Sequence, residues 1–72
     1  RRKGIVQIRE KLAELREQIE SLRDEEQDTF DNMPESIQDS ERGEASQEAL
    51  TALEEAIQSI ETAEECLDQA AQ

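Results

Sequence analysis

The chain has 72 residues and a net charge of −12, from 20 acidic and 8 basic side chains. It has no histidine and one cysteine, Cys66, which excludes an intrachain disulfide and leaves no ligand set for zinc, haem or an iron–sulfur cluster. No cofactor is therefore expected, and because a core of this size seldom supplies more than about 3–5 kcal/mol, oligomerisation is the remaining source of stability.

A heptad pattern predicts a first helix over about residues 4–32. Apolar residues follow one another from Ile5 in steps of three and four, which is the a/d spacing of a coiled coil. Most residues between them are good helix formers, and Arg16–Glu20 and Glu20–Arg23 are spaced for ion pairs one helical turn apart. The predicted seam of this helix consists of Ile5, Ile8, Leu12, Leu15, Ile19 and Leu22.

A connector is predicted over about residues 33–40. Pro34 disfavours helical geometry at the residue before it and cannot donate a backbone hydrogen bond, so the first helix should end there. Residues 34–37 are expected to form a helical turn of their own, and Ser40, followed by acidic residues, is a candidate N-cap for the next helix. Three apolar side chains are expected to cover the end of the bundle: Phe30, Met33 and Ile37.

A second helix is predicted over about residues 41–71. Its seam is Leu50, Leu53, Ile57, Ile60, Glu64, Leu67 and Ala71, again in steps of three and four. Alanines recur at intervals of seven beside this seam, at Ala49, Ala56, Ala63 and Ala70. Three such positions per heptad make a broad stripe, which is typical of a helix that contacts two neighbours.

The two helices should pair antiparallel as one helical-hairpin domain spanning residues 1–72. Residues 1–23 carry a net charge of +3 and residues 24–72 a net charge of −15, so the basic start of the first helix should lie beside acids of the second. The expected acidic neighbours are Glu54, Glu55, Glu61, Glu64, Glu65 and Asp68. Because one layer of two helices encloses no core, the sequence favours an all-α homodimeric four-helix bundle over a longer parallel coiled coil.

Most chemical functions are not supported by the composition. Without histidine, a nucleophile motif or a glycine-rich phosphate loop, the chain is not expected to be an enzyme. The acidic cluster at residues 24–31 lacks the pattern of an EF-hand, and Cys66 is expected to be a small, partly buried side chain. Three basic residues at the start, without aromatic neighbours and with a strongly acidic body, do not predict direct nucleic-acid binding.

The sequence contains no signal of a membrane segment. No run approaches the roughly 18–20 apolar residues of a membrane span, and no signal-peptide core follows the first basic residues. We therefore expect a cytoplasmic protein without membrane contact. Because the chain opens on Arg1 instead of methionine, a few starting residues are expected to have been lost or removed.

The central stretch, residues 23–44, reads RDEEQDTFDNMPESIQDSERGE. It resembles the RDEEQxxFDNMPExIQxSER centre of a family of small acidic proteins met in phage and prophage genomes, whose members continue into a helix rich in leucine, alanine and glutamate. The basic opening, Arg1, Arg2 and Lys3, is also similar. The resemblance implies a phage setting, the cytoplasm of the host cell and a binding protein, and it transfers no catalytic residue.

The connector has two interpretations. In the structural one, Asn32 and Ser40 are caps, Pro34 is a stop and Arg42 pairs with a nearby acid. In the functional one, the tip of the hairpin is a docking surface, because loops held by a rigid scaffold often carry binding sites. The candidate tip residues are Phe30, Asn32, Met33, Pro34, Ile37 and Arg42.

Three functions remain open on the sequence. The favoured one is a homodimeric adaptor or modulator that binds an unidentified host or phage protein, whose contact surface is expected to be basic. The alternative is an acidic mimic of nucleic acid that inhibits a host defence protein or another DNA- or RNA-binding protein. The third is a purely structural dimerisation module with no separate partner.

Overall fold

The fold consists of two long helices joined by a short one. The computed structural model describes residues 2–72 and contains α1 (Arg2–Asp31), α2 (Glu35–Gln38) and α3 (Glu41–Ala70). Helices α1 and α3 pack antiparallel in a hairpin that measures 54 × 14 × 12 Å. The predicted all-α antiparallel hairpin is confirmed. Helix α1 begins two residues before and ends one residue before the range read from the sequence, and α3 ends one residue before its range.

Helix α1 ends where the sequence places its stop signal. The Asn32 N–H still donates to the Asp28 carbonyl at 3.0 Å, and the Met33 N–H donates to the Phe30 carbonyl at 3.1 Å, so the last turn tightens before Pro34. Pro34 then takes the N-cap position of α2 with φ −57° and ψ 151°, a conformation that its ring favours. The predicted turn at 34–37 is therefore a short helix displaced by one residue.

Ser40 occupies the N-cap position of α3, but its side chain does not cap the helix. Its backbone is extended, with φ −89° and ψ 175°, and its carbonyl accepts from the Glu44 N–H at 3.0 Å. The hydroxyl donates to the Ile37 carbonyl instead of accepting from the first turn of α3. The expected side-chain cap is thus wrong. The Ile37 carbonyl, near the end of α2, lies within reach and accepts the hydrogen bond from the hydroxyl.

The hairpin buries few side chains. In α3, the buried residues are Gly43, Ser46, Leu50, Ile57 and Glu64, whereas α1 has no buried residue. Four of the five recur at intervals of seven, so they form one line of α3 that faces α1. Phe30, Met33 and Ile37 are half-buried at the connector end, as expected for side chains that cover the end of the helices.

The predicted seam of α1 divides into a half-buried line and an exposed line. The half-buried line is Ile5, Leu12 and Ile19. The exposed line is Ile8, Leu15 and Leu22, with 54%, 50% and 53% of their surface exposed. Leu15, which the sequence pattern treats as a core position equivalent to Ile57, is therefore half in solvent in the hairpin.

Candidate functional site

Three arginines lie at the contact between α1 and α3, where the sequence pattern predicts the residues of the exposed apolar line. Arg9, Arg16 and Arg23 recur at intervals of seven and are half-buried, each one residue after a member of the exposed line. Helix α1 is thus rotated so that one apolar line and the arginine line face α3. No site was predicted at this arginine line from the sequence. The signal that could have revealed it is the recurrence of the arginines every seven residues beside the apolar seam.

Glu64 lies between two of these arginines. Its side chain is only 5% exposed, and its carboxylate contacts Arg9 Nη1 at 2.7 Å and Arg16 Nε at 2.7 Å. Arg9 also donates from Nε to Asp68 Oδ1 at 2.9 Å, and Arg16 contacts Glu20 at 3.1 Å. These contacts place the basic start of α1 beside the acids of α3, as the charge distribution predicts. The expected Glu20–Arg23 pair does not form, because Arg23 contacts Asp24 instead, at 3.1 Å.

The ion pairs raise the pKa of both arginines above its ordinary value. For Arg9 the main cause is the hydrogen bond to Asp68, with the charges of Asp68 and Glu64 adding to it against desolvation. For Arg16 the main cause of the raised pKa is the hydrogen bond to Glu64. A raised pKa means that the stabilising contribution is present below the ordinary arginine pKa and is lost only above the raised one.

We expect Glu64→Gln to lower the midpoint of thermal unfolding more than Glu65→Gln does. The first substitution keeps the shape of a buried side chain but removes a charge shared by Arg9 and Arg16, whereas Glu65 is exposed. The two variants have the same net charge, so circular dichroism melts at one protein concentration compare them directly. Equal midpoints would show that the buried ion pairs contribute nothing to the stability of the hairpin.

The opposite side of the hairpin carries no charge along α3. From Ala45 onward, three neighbouring lines of α3 contain only uncharged residues, and every acid of the helix lies on the other four lines. The uncharged lines are Ser46, Leu53, Ile60, Leu67; Ala49, Ala56, Ala63, Ala70; and Ala45, Ala52, Ser59, Cys66. Cys66 is exposed at the edge of this surface and is not partly buried as expected.

This uncharged surface of α3 is continuous with the exposed apolar line of α1. An open groove of about 600 Å³ runs between the helices, with Leu22, Glu25, Glu26 and Thr29 of α1 on one wall and Ala49, Ala52 and Leu53 of α3 on the other. The groove on the other side of the hairpin is polar and is lined by Arg9, Arg16, Glu61, Glu64 and Glu65. We call the first surface the apolar side; it comprises Ile8, Leu15 and Leu22 of α1 and the three uncharged lines of α3.

The hairpin exposes more surface than a chain of its size normally does. Its accessible surface is 5424 Å², whereas a folded monomer of 8.2 kDa is expected to expose about 4,500 Å². Its radius of gyration is 16.3 Å, against about 11 Å for a compact domain of this length. The excess of about 900 Å² is close to the roughly 800 Å² that each partner buries in a stable interface of standard size.

The predicted tip residues are brought together at the connector end, with different exposure. Asn32, Pro34 and Arg42 are exposed, and Phe30, Met33 and Ile37 are half-buried. Gln38 donates from Nε2 to the Phe30 carbonyl at 2.9 Å, which is a second hydrogen bond to a carbonyl that also accepts from the Met33 N–H. Within the described residues, Arg42 forms no ion pair, so the expected pairing with a nearby acid is not seen.

The outer faces of both helices are acidic. Six acids outside the predicted seam, which a mimic of nucleic acid could present in place of phosphates, are all exposed: Glu25, Glu48, Glu54, Glu55, Glu61 and Glu65. In the part of the chain that the structure describes, no three carboxylate or thiol side chains come together as a metal-binding group. Nor does any helix between residues 2 and 72 have the length and apolarity needed to cross a membrane.

Comparisons with known proteins give no further indication. No family model, no curated protein and no solved structure matches the chain.

Proposed function

We propose that the chain is a non-enzymatic protein-binding module that works as a homodimer. Two hairpins pack through their apolar sides into a four-helix bundle, and the dimer binds another protein through the surface that remains exposed. The observation that carries this proposal is the exposed line of Ile8, Leu15 and Leu22 beside the uncharged lines of α3. A single hairpin leaves Ile8, Leu15 and Leu22 about half exposed to water, and a second copy supplies an equally apolar surface.

The small size of the core in the hairpin also supports a second copy as the occupant of the apolar side. Leu50 and Ile57 are the buried hydrophobic residues of the hairpin, and no side chain in the described range is fully buried. A domain this small with so little apolar burial is marginal alone, because the ordering of 72 residues must be offset by burial elsewhere. Packing two apolar sides together encloses a larger core than one hairpin has.

We expect the wild-type chain to sediment as a dimer and to melt at a temperature that rises with protein concentration. Leu15→Glu should give a monomer, because it places a charge in the centre of the apolar side. Thr62→Glu makes the same change of charge on the exposed outer line of α3 and should leave the dimer intact. A wild-type monomer in sedimentation equilibrium, with a melting temperature independent of concentration, would refute the homodimer.

The proposed partner is a host or phage protein, and the exposed connector residues Asn32, Pro34 and Arg42 are its candidate contacts. The resemblance of residues 23–44 to small acidic phage proteins supports a phage-encoded adaptor or modulator in the host cytoplasm. An adaptor of this kind should bind through specific contacts at the tip, so its affinity should change little with salt and should fall when Arg42 is replaced by alanine.

A second candidate is an inhibitor that imitates nucleic acid. The exposed acids of the outer faces favour it, since residues 24–72 carry a net charge of −15 and these six acids point away from the α1–α3 contact. Such an inhibitor should lose affinity steeply as salt rises, and DNA or RNA should displace it from its partner. Salt dependence thus separates the two candidates once a partner has been captured from infected host cells.

A further inference from the structure

We propose that the two hairpins of the dimer lie with their connectors at opposite ends. This inference rests on the homodimer proposed above and adds the orientation of its two copies and the residues that meet. In this arrangement, α1 packs antiparallel on α1 of the second copy, and α3 packs antiparallel on its own counterpart. The alternative has both connectors at one end, with α1 of each copy on α3 of the other.

The first observation is the distribution of charge along the hairpin. The half nearer the connector, residues 17–56, has 14 acidic and 2 basic side chains and thus a net charge of −12. The other half, residues 2–16 and 57–72, has 6 acidic and 5 basic side chains and is nearly neutral. Connectors at the same end would place the two strongly acidic halves against each other. Connectors at opposite ends place each acidic half over a neutral one, which lowers the repulsion.

The second observation is a line of α1 that borders the exposed apolar residues. Gly4, Lys11, Gln18 and Glu25 follow one another at intervals of seven, and Lys11, Gln18 and Glu25 are exposed. Lys11 and Glu25 form no ion pair with residues 2–72, and about 21 Å of helix separates them, so they do not interact within one chain. If the twofold axis passes near Gln18, Lys11 of each copy lies beside Glu25 of the other.

The third observation is that a twofold axis near Gln18 also allows the α3 helices of the two copies to pack closely. Contacts of Arg2 with Gln72 and of Ser46 with Glu26 set the register of the hairpin, and this register places Gln18 level with about residue 56. An axis near Gln18 therefore also passes near Ala56. It brings the line Ala49, Ala56, Ala63 onto the same line of the second copy in reverse order. Small side chains on both helices allow close approach there, while Leu15 packs beside Leu22 of the other copy in the α1 pair.

A charge reversal tests this arrangement. Lys11→Glu and Glu25→Lys should each raise the dimer dissociation constant on the order of fivefold to tenfold, because each places two pairs of like charges in the dimer. The double variant, Lys11→Glu with Glu25→Lys, should restore the wild-type value. Glu17→Lys is the matched control: it changes the net charge as Glu25→Lys does, on an exposed line facing away from the apolar side, and should not weaken the dimer.

A second measurement uses disulfide formation in a chain whose natural cysteine is replaced, Cys66→Ser. Adding Gln18→Cys should give a disulfide-linked dimer on oxidation, whereas adding Lys11→Cys should not, because the two Lys11 positions lie about 21 Å apart in the proposed arrangement. If the wild type dimerises but Glu25→Lys behaves as Glu17→Lys does and Gln18→Cys does not cross-link, the homodimer stands and the opposite-end orientation is wrong. A wild type that is monomeric overturns both.

Discussion

Ile57→Ala is expected to lower the free energy of unfolding by about 2–5 kcal/mol. Ile57 is 6% exposed and lies in the line of α3 that faces α1, between Leu50 and Glu64. Removing most of its side chain leaves a space that two straight helices cannot close, because the connector and the ion pairs of Glu64 fix their separation on either side. This cost is comparable to the whole stability of a domain of 72 residues. Denaturant unfolding followed by circular dichroism measures it.

Ile8→Ala is the matched control, since it makes the same chemical change at an isoleucine that is 54% exposed. At protein concentrations low enough to keep the chain monomeric, Ile8→Ala should lower the free energy of unfolding by only about 1 kcal/mol, because much of the Ile8 side chain is already exposed in the hairpin. At higher concentrations it should also weaken the dimer, because Ile8 belongs to the apolar side. If both variants lose the same stability at low concentration, Ile57 is not the core of the hairpin.

The hairpin could be predicted from the sequence because its pattern is long and regular. Apolar residues in steps of three and four run from Ile5 to Leu22 and, apart from Glu64, from Leu50 to Leu67, and Pro34 lies between the two runs. The excess of basic residues before Asp24 and of acids after it then selects the antiparallel pairing. Each of these signals comes from neighbouring residues or from a summed charge. None of them requires knowledge of which side chains are in contact.

The rotation of α1 about its own axis could not be predicted in the same way. A helix with apolar residues at Ile8 and Leu15 and arginines at the next positions can turn either line toward its partner. The choice depends on Glu64, distant in sequence, which binds Arg9 and Arg16 in the half of the hairpin away from the connector. Because a buried carboxylate needs charged partners, the arginines turn inward and the apolar line remains exposed. The heptad pattern alone predicts that the apolar line is buried and the arginine line exposed, which is the reverse of their arrangement in the hairpin.

This rotation links the two halves of the functional proposal. By satisfying charges within the hairpin, Arg9, Arg16 and Glu64 leave an apolar side without charged groups on α3, which is free to join a second copy. Most acids that are not needed for this pairing lie on the outer faces, where they would remain exposed in a dimer, whereas Glu25 and Glu26 border the apolar side. Self-association and partner binding are thus assigned to different surfaces of the same two helices, and variants can separate them.

The connector shows why the central motif is hard to interpret from sequence alone. Part of it has a structural role: Gln38 binds the end of α1, and Ser40 joins α2 to α3. The exposed side chains of Asn32 and Arg42 have no such role among the described contacts, and together with Pro34, which also begins α2, they remain the candidates for partner binding. Variants of these exposed residues test function, whereas variants of Gln38 or Ser40 would change the shape of the tip itself.

Gly43→Ala is expected to destabilise the protein by about 1–3 kcal/mol or more, because no space exists for a side chain at this position. Gly43 is buried in the first turn of α3, and a Cβ atom there would overlap the carbonyl group of Gln38 and lie 2.6 Å from its Cα. The obstacle is backbone, which cannot rotate away as a flexible side chain can. The short helix α2 would have to move off α3, which would also disturb the Gln38 hydrogen bond to Phe30.

Gly4→Ala provides the control within the same chain. A Cβ atom at Gly4 meets nothing within 4 Å, and the residue lies in α1, where alanine is favoured over glycine by roughly 0.5–1 kcal/mol. We therefore expect thermal melts to show a higher midpoint for Gly4→Ala and a lower one for Gly43→Ala, relative to the wild type. If Gly43→Ala melts at or above the wild-type temperature, α2 does not pack on the start of α3 as described. The connector would then be adaptable, and its exposed residues could not be treated as a surface of fixed shape.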